Sequence, residues 1–277
     1  MAKYEYDRYS LEENLLRKIL IRVDYTGVTT IDSWIEKIKV DFIKDYFDRY
    51  IKHLNNNAKI DLSNLGDISK SLSIPVTEIV REPIHTFTES KFEDREDKMQ
   101  LDITSFYTTV SIDCIKYKNI DIYIEFLVKL LTSLLESDTY IQIKRIGIRK
   151  IGGTEFDSKD AIYDVFEEDQ FFCKLIDNCD KIKIANREYT DRFIRENPDV
   201  KINYTRLFRA VNIKGENKIQ VILDMDGYID EYIISKNNYQ FPRDLKPSLT
   251  DNINNYLFEL FKNSVQENYL KKHGHIG

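Results

Sequence analysis

Two stretches of this chain gather cations without a single carboxylate among them. Residues 142–153 (QIKRIGIRKIGG) hold Lys144, Arg145, Arg149 and Lys150, and residues 201–214 hold Arg206 and Arg209. Alternate residues of an extended chain share a face, so Arg145, Gly147 and Arg149 point the same way and two guanidinium forks flank a position with no side chain. That geometry suits a phosphate or a carboxylate, and hence a nucleotide or a nucleic acid. Tyr204 and Phe208 lie beside Arg206 and Arg209, as a base-stacking surface requires. The structural alternative is that the same arginines pair across a sheet with the chain's own acids. From the residues alone both readings stay open.

Acidic residues gather at Asp224, Asp226, Asp230 and Glu231, where Asp224 and Asp226 would share one face of a strand and could hold a hard divalent cation for hydrolysis. Gly227 falls at the fourth position of this run, where a calcium loop places its glycine at the sixth, and Asp226-Gly227 reads as a two-residue hairpin turn. Asp224 and Asp226 are therefore the metal candidates, and no metal or cofactor is the expectation. Glu93-Asp94 and Glu96-Asp97 read as a solvated hairpin tip. The four histidines, His53, His85, His273 and His275, lack metal-binding or catalytic spacing. The cysteines, Cys114, Cys173 and Cys179, are odd in number and read as reduced thiols. There is no phosphate loop of the form G-x-x-x-x-G-K-[ST], no G-x-G-x-x-G and no G-x-S-x-G, so three large enzyme classes lack their defining turn. No catalytic residue is assigned.

Over its 277 residues the chain carries a net charge of −6, which excludes a protein that coats nucleic acid with its whole surface. Hydrophobic residues at 42% and only 9 Gly and 5 Pro exclude a disordered or linker-rich chain. No apolar run reaches the roughly 18 residues of a membrane span, and residues 1–10 lack the basic start and apolar stretch of a signal peptide. A cytoplasmic protein with no membrane partner is expected.

The elements that would position these residues follow from periodicity. Ile19, Ile21 and Val23 alternate with polar neighbours and read as a strand. The apolar spacing from Ile31 to Leu54 predicts one long amphipathic helix behind Thr30, and residues 55–73 read as a polar connection. Residues 76–90 and 99–114 predict a long hairpin. Residues 120–135 predict a second helix, and 140–151 a strand. This order is the βαββαβ pattern of ferredoxin-like folds. Residues 157–198 read as helical or irregular, with an apolar-basic stretch at 181–184. Three strands then form an antiparallel meander (201–213, 218–225 and 228–235), and a final amphipathic helix follows Pro247 and Ser248. The fold class is α+β, with a ferredoxin-like half at 1–157 and a meander-plus-helix half at 158–277, packed as one unit.

Residues 141–151 (IQIKRIGIRKI), with the flanking helix and the stretch 256–270 (YLFELFKNSVQENYL), resemble a sporadically distributed, uncharacterised prokaryotic protein family. Its members carry a strand of the type Arg-x-Gly-Leu-Arg-Tyr-Ile-Asn after a helix, a later strand ending in Asp, and a C-terminal helix. Arg145, Gly147 and Arg149 match that strand, while Lys150 and Gly152 stand where the family has Tyr and Asn. The resemblance implies an accessory protein of mobile or phage-defence loci. The leading expectation is a non-catalytic module that recognises another protein of the same system. Beside it stand nucleic-acid or nucleotide binding through Lys144, Arg145, Arg149, Lys150, Arg206 and Arg209, and a metal-dependent hydrolase. A homodimer is the default assembly.

Overall fold

The structure, a computed structural model, describes Tyr6 and residues 15–60, 76–91, 98–114, 119–171 and 186–273, with backbone alone for 55–60 and 76–81. Cys173, Cys179, His275, the acidic hairpin tip at 92–97 and the stretch 181–184 lie outside the described residues. The described chain is a mixed α and β fold in which nine strands form one antiparallel sheet, β2-β3-β4-β5-β1-β6-β9-β8-β7. The strands are β1 (Leu16–Tyr25), β2 (Phe47–Ile60), β3 (Val76–Ser90), β4 (Lys98–Ile103), β5 (Tyr107–Asp113), β6 (Ile143–Phe156), β7 (Asn186–Arg195), β8 (Val200–Ile213) and β9 (Glu216–Asp230). The helices are α1 (Ile31–Asp41), α2 (Asp121–Ser137), α3 (Lys159–Tyr163), α4 (Glu231–Lys236), α5 (Asn255–Ser264) and α6 (Glu267–His273), with a π-helix, Ser248–Asn254, leading into α5. No described helix is long and apolar enough to cross a membrane.

One face of the sheet is buried. Ile19, Ile21 and Val23 of β1, Ile146 and Ile148 of β6, and Leu223, Met225 and Ile229 of β9 are fully or almost fully buried. Over them lie Trp34, Ile35 and Ile38 of α1, Leu127, Leu130, Leu131 and Leu134 of α2, and Leu249, Ile253 and Leu257 at the C-terminal end. The opposite face takes the alternate residues of each strand, and among the described residues no helix covers it. Burying one face and hydrating the other is what the period-2 patterns of β1 and β9 dictate.

Several expected elements are redrawn. The helix read from Ile31 to Leu54 stops at Asp41, and a single 3-10 turn (Ile43–Asp45) delivers the chain into β2. The spacing of Phe42, Tyr46, Phe47 and Tyr50 imitates a helical stripe. The first three rings instead gather around Phe126 of α2, at centroid distances of 5.4, 4.8 and 5.8 Å. Beyond them β2 zips to β3 from Phe47↔Ser90 to Ile60↔Val76, so the expected polar connection begins as a strand. The expected strand at 99–114 is two strands. Thr104 turns the chain between them, its Oγ accepting from the amides of Phe106 (3.0 Å) and Tyr107 (3.1 Å). The N-terminal half therefore carries six strands where the βαββαβ pattern has four.

In the second half Asp226-Gly227 is no turn. Strand β9 runs straight through it, paired to β6 from Phe156↔Ile219 to Arg145↔Asp230. Gly227 is small for a different reason: a Cβ there would meet Ile253 Cγ2 at 3.0 Å and Leu257 Cδ2 at 3.1 Å, the side chains of the covering helices. The strand ends at Asp230, whose Oδ1 accepts from the Ile233 amide (3.2 Å) and caps α4, so the strand expected over 228–235 becomes mostly helix. The third strand of the meander is β7, inside a segment read as helical or irregular. Ser248 is fully buried within the π-helix and does not cap the C-terminal helix.

Candidate recognition face

Strand β6 sits between β1 and β9 and puts Arg145, Gly147, Arg149 and Ile151 on the open face. Strand β9 answers with Asp224, Asp226, Tyr228 and Asp230, and β8 with Lys201, Asn203, Thr205 and Leu207. The two strands' registers set cation against carboxylate. Arg149 grips Asp224 with both arms of its fork, Nε to Oδ1 at 2.8 Å and Nη2 to Oδ2 at 2.5 Å, and the Asp224 carboxylate raises the Arg149 pKa still further. Arg145 is held more loosely. Its Nη2 lies 3.3 and 3.5 Å from the Asp226 oxygens, and its guanidinium stacks on the Tyr228 ring at 4.3 Å. Asn203 Nδ2 donates to Asp226 Oδ2 at 3.2 Å. Lys144 pairs with Glu231, and Lys201 with Asp230. On β1, Arg22 pairs with Asp24 at 2.6 Å and stacks over Tyr107 at 4.1 Å.

Several site expectations change here. The position between the two forks is not open: Gly147 pairs with Tyr228, and a Cβ on it would meet Tyr228 Cβ and the Gly227 carbonyl, both at 3.1 Å. The glycine lets the tyrosine lie across it, and the tyrosine is the platform on which Arg145 rests. Asp224 and Asp226 are counterions of Arg149 and Arg145 rather than a ligand pair, and among the described residues no three His, Cys, Asp or Glu stand where they could hold a metal. Lys150 shares the face of Ile146 and Ile148 and is buried beneath the helices, 5% exposed, so it takes no part in the open face. Arg206 is likewise on the covered side, paired with Asp191, its guanidinium 5.0 Å from the Tyr204 ring and 5.5 Å from that of Tyr189. Arg209 is on the open side but remote, donating to Gln220 Oε1 at 2.8 Å. The six cations thus separate into Lys144, Arg145 and Arg149 at the central ion pairs of β6, Lys150 on the covered side of the same strand, and Arg206 and Arg209 on β8.

No family model, curated protein or solved structure matches this chain.

Near Arg206 a shallow cavity of about 470 Å³ opens between β7 and α5, lined by Gln170, Phe193, Tyr204 and Leu260 among others. Tyr204 closes its floor. Burial pushes the phenol up to about 12, against the hydrogen bond it shares with Ser264 (2.8 Å), and it also donates to Gln170 Oε1 at 3.1 Å. This phenol stays protonated and is held in place, a structural part rather than an acid or base.

Sequence reasoning missed one cluster. His85 of β3 is 1% exposed, with Nε2 2.8 Å from Asp32 Oδ1 of α1 and Nδ1 2.9 Å from the Tyr50 hydroxyl of β2. Lys52 Nζ also reaches Asp32 Oδ1, at 2.8 Å, and Lys39 lies 4.3 Å over the Tyr50 ring. Lys52 holds the Asp32 carboxyl below its ordinary range, while burial pushes the His85 imidazole below 6.5 despite the opposing carboxylate. A histidine whose folded pKa is depressed binds its proton more readily in the unfolded chain. Its stabilising contribution is complete above about pH 6.5 and is lost as pH falls from there through the folded value. Unfolding free energy should therefore decline between pH 7 and 5 by at most about 1.4 kcal/mol per pH unit from this residue. Denaturant titrations at stepped pH should show His85→Gln with a flatter profile over that window. Equal slopes in both proteins would remove His85 as the cause.

Proposed function

We propose that this chain is a non-catalytic recognition subunit of a multi-gene prokaryotic system, working in the cytoplasm and docking another protein on the open face of its sheet. The setting of mobile or antiviral loci comes from the resemblance of its β6 strand, Arg145-x-Gly147-x-Arg149, to the uncharacterised family. We read β1, α1, β4, β5, α2 and β6 as a ferredoxin-like core, extended by the β2–β3 hairpin on one side and by β9-β8-β7 on the other. That topology hosts many functions and decides nothing about this one.

The observation that carries the proposal is the pairing of each motif arginine with an aspartate of β9. A face meant for phosphate would leave its guanidinium forks unsatisfied, or surround them with neutral donors. Here a phosphate would have to displace Asp224 or Asp226 and then sit among Asp24, Asp226 and Asp230, which like-charge repulsion opposes. A neutral lattice of fixed charges suits a partner protein that presents a complementary lattice, giving specificity more than raw affinity. Half-buried Leu20, Ile151, Leu207 and Ile222 lie within the lattice on the same face. Its size is adequate: nine strands at about 4.8 Å spacing make a face about 38 Å across, and seven residues at about 3.4 Å make it about 24 Å long. That is of the order of the roughly 800 Å² each partner contributes to a standard interface.

The test is affinity capture of the full chain from native host lysate at low salt, with half the sample treated with nuclease. A stoichiometric protein that survives nuclease is the expected result. A nuclease-sensitive excess of 260 nm absorbance with no such protein would replace the proposal with nucleic-acid binding, whose salt dependence would be steep.

A further inference from the structure

The sheet ends at β7, which pairs with β8 over Asn186–Arg195 and has no strand on its other side among the described residues. Its outer row of backbone N–H and C=O groups is a template for another strand. Proline, lysine and a strand too short to pair are the protections it lacks, and its edge is guarded only by charges, Arg187, Glu188, Asp191, Arg192 and Arg195. The strand is ten residues long and contains neither proline nor lysine, and it exposes Phe193 (41%) and Ile194 (56%) on opposite faces. Glu188 and Arg192, both exposed on the open side, have no ion-pair partner among the described residues.

We propose that β7 pairs antiparallel with the β7 of a second copy of this chain, joining two nine-stranded sheets into one across a two-fold axis at Thr190. A two-fold axis through an antiparallel pair requires one residue to face its own copy, so the sequence NREYTDRFIR allows few registers. Centring on Glu188, Asp191 or Arg192 sets like charges face to face, and centring on Asp191 adds Arg187 against Arg195. Centring on Tyr189 pairs only Asn186 through Arg192, sets Glu188 against Thr190 and Arg192 against Asn186, and leaves Phe193 and Ile194 outside the paired stretch. Centring on Thr190 pairs Asn186 through Ile194 with no like charges opposed. It sets Glu188 against Arg192 twice on the open side, and Arg187 against Phe193 and Tyr189 against Asp191 twice on the helical side. The unpaired charges and the exposed aromatic of one chain thereby meet partners in the other. This interface is independent of the recognition face, whose proposed partner is a different protein.

Sedimentation or light scattering of the purified full chain should give a mass twice the 32.9 kDa of one chain, dissociating on dilution. Arg192→Glu should raise the dimer dissociation constant at least about tenfold, since like charges directly opposite destabilise a strand pair. The double reversal Glu188→Arg with Arg192→Glu should restore it, and that rescue separates a lost interface from a lost fold. Thr190→Cys should form an interchain disulfide between the two introduced thiols, because residues directly opposite lie about 4.5–5.5 Å apart at Cα, inside the range a disulfide spans. Peptide mapping would distinguish that bond from pairing through the native cysteines. A chain that stays monomeric up to about 100 μM overturns the proposal. So does a dimer indifferent to Arg192→Glu, or one in which the Thr190→Cys thiols do not join.

Discussion

Gly153→Ala should lower the stability of the chain by about 3 kcal/mol and its melting temperature by roughly 6 °C. Gly153 lies against the backbone of β9: a Cβ there would come to 2.3 Å from the Val221 carbonyl oxygen and 3.1 Å from Ile222 Cα. Both obstacles are backbone, paired in the β6–β9 ladder at Gly153↔Ile222 and Thr154↔Val221, so neither can rotate away as a side chain would. Relief requires the two strands to part at the centre of the sheet. On the other side the Gly153 amide donates to the Leu15 carbonyl at 2.8 Å, and Arg17 Nε reaches the Gly153 carbonyl at 3.1 Å, so the glycine is tied into three segments at once. Gly215→Ala is the informative control. No heavy atom lies within 4 Å of its added methyl, and its cost is the backbone strain of a residue at φ +90°. Thermal melts of both variants would check this. A Gly153→Ala protein within 1 °C of wild type would mean that β6 and β9 are not packed as described.

The second large effect concerns binding. Exchanging Arg149→Asp together with Asp224→Arg keeps an ion pair between β6 and β9 while reversing the charge order across the open face. Stability should change by less than about 1 kcal/mol, because both groups are partly solvated and such pairs contribute little. Affinity for the captured partner should fall about 100-fold, since juxtaposed like charges in an interface cost several kcal/mol and about 1.4 kcal/mol is tenfold. The reversal separates the two roles of this pair. If the pair served the fold alone, binding would be indifferent to its direction. Titration calorimetry with the captured protein reads the affinity, and denaturant unfolding reads the stability.

How much of this was legible in the sequence depended on burial. Strands β1 and β6 and helix α2 could be read because one face of each is buried and the periodicity is strong: Ile19, Ile21 and Val23 alternate with polar residues, and Leu127, Leu130, Leu131 and Leu134 recur at helical spacing. Strand β7 could not, since it is exposed on both faces and nothing compels alternation. The segment from Phe42 into β2 reads as helix because Phe42, Tyr46 and Phe47 cluster around one ring of another helix, a tertiary arrangement that copies helical spacing. Asp226-Gly227 reads as a turn because a hairpin and close packing against Ile253 and Leu257 each call for glycine, and the dipeptide does not tell the two apart.

The site was legible in part. Parity along β6 puts Arg145 and Arg149 on one face, and parity along β9 does the same for Asp224 and Asp226. What no local pattern discloses is that these faces coincide, because the residues of the Arg149–Asp224 pair are 75 positions apart. Parity also puts Lys150 in step with Ile146 and Ile148, and Arg206 with Tyr204 and Phe208, so both belong to the covered side. The cluster of Asp32, Tyr50 and His85 joins a helix to two strands and leaves no trace in spacing.

The most direct test of the recognition face is residue-level labelling of tyrosines in the free chain and in the chain bound to its captured partner, read by mass spectrometry. Tyr107 and Tyr228 stand on the open face beneath Arg22 and Arg145, whereas Tyr140 (87% exposed) and Tyr232 (68% exposed) lie off it, after α2 and on α4. The account expects modification of Tyr107 and Tyr228 to drop severalfold in the complex while Tyr140 and Tyr232 react as before. Protection of Tyr140 or Tyr232 with Tyr107 and Tyr228 unchanged would place the partner elsewhere and contradict it.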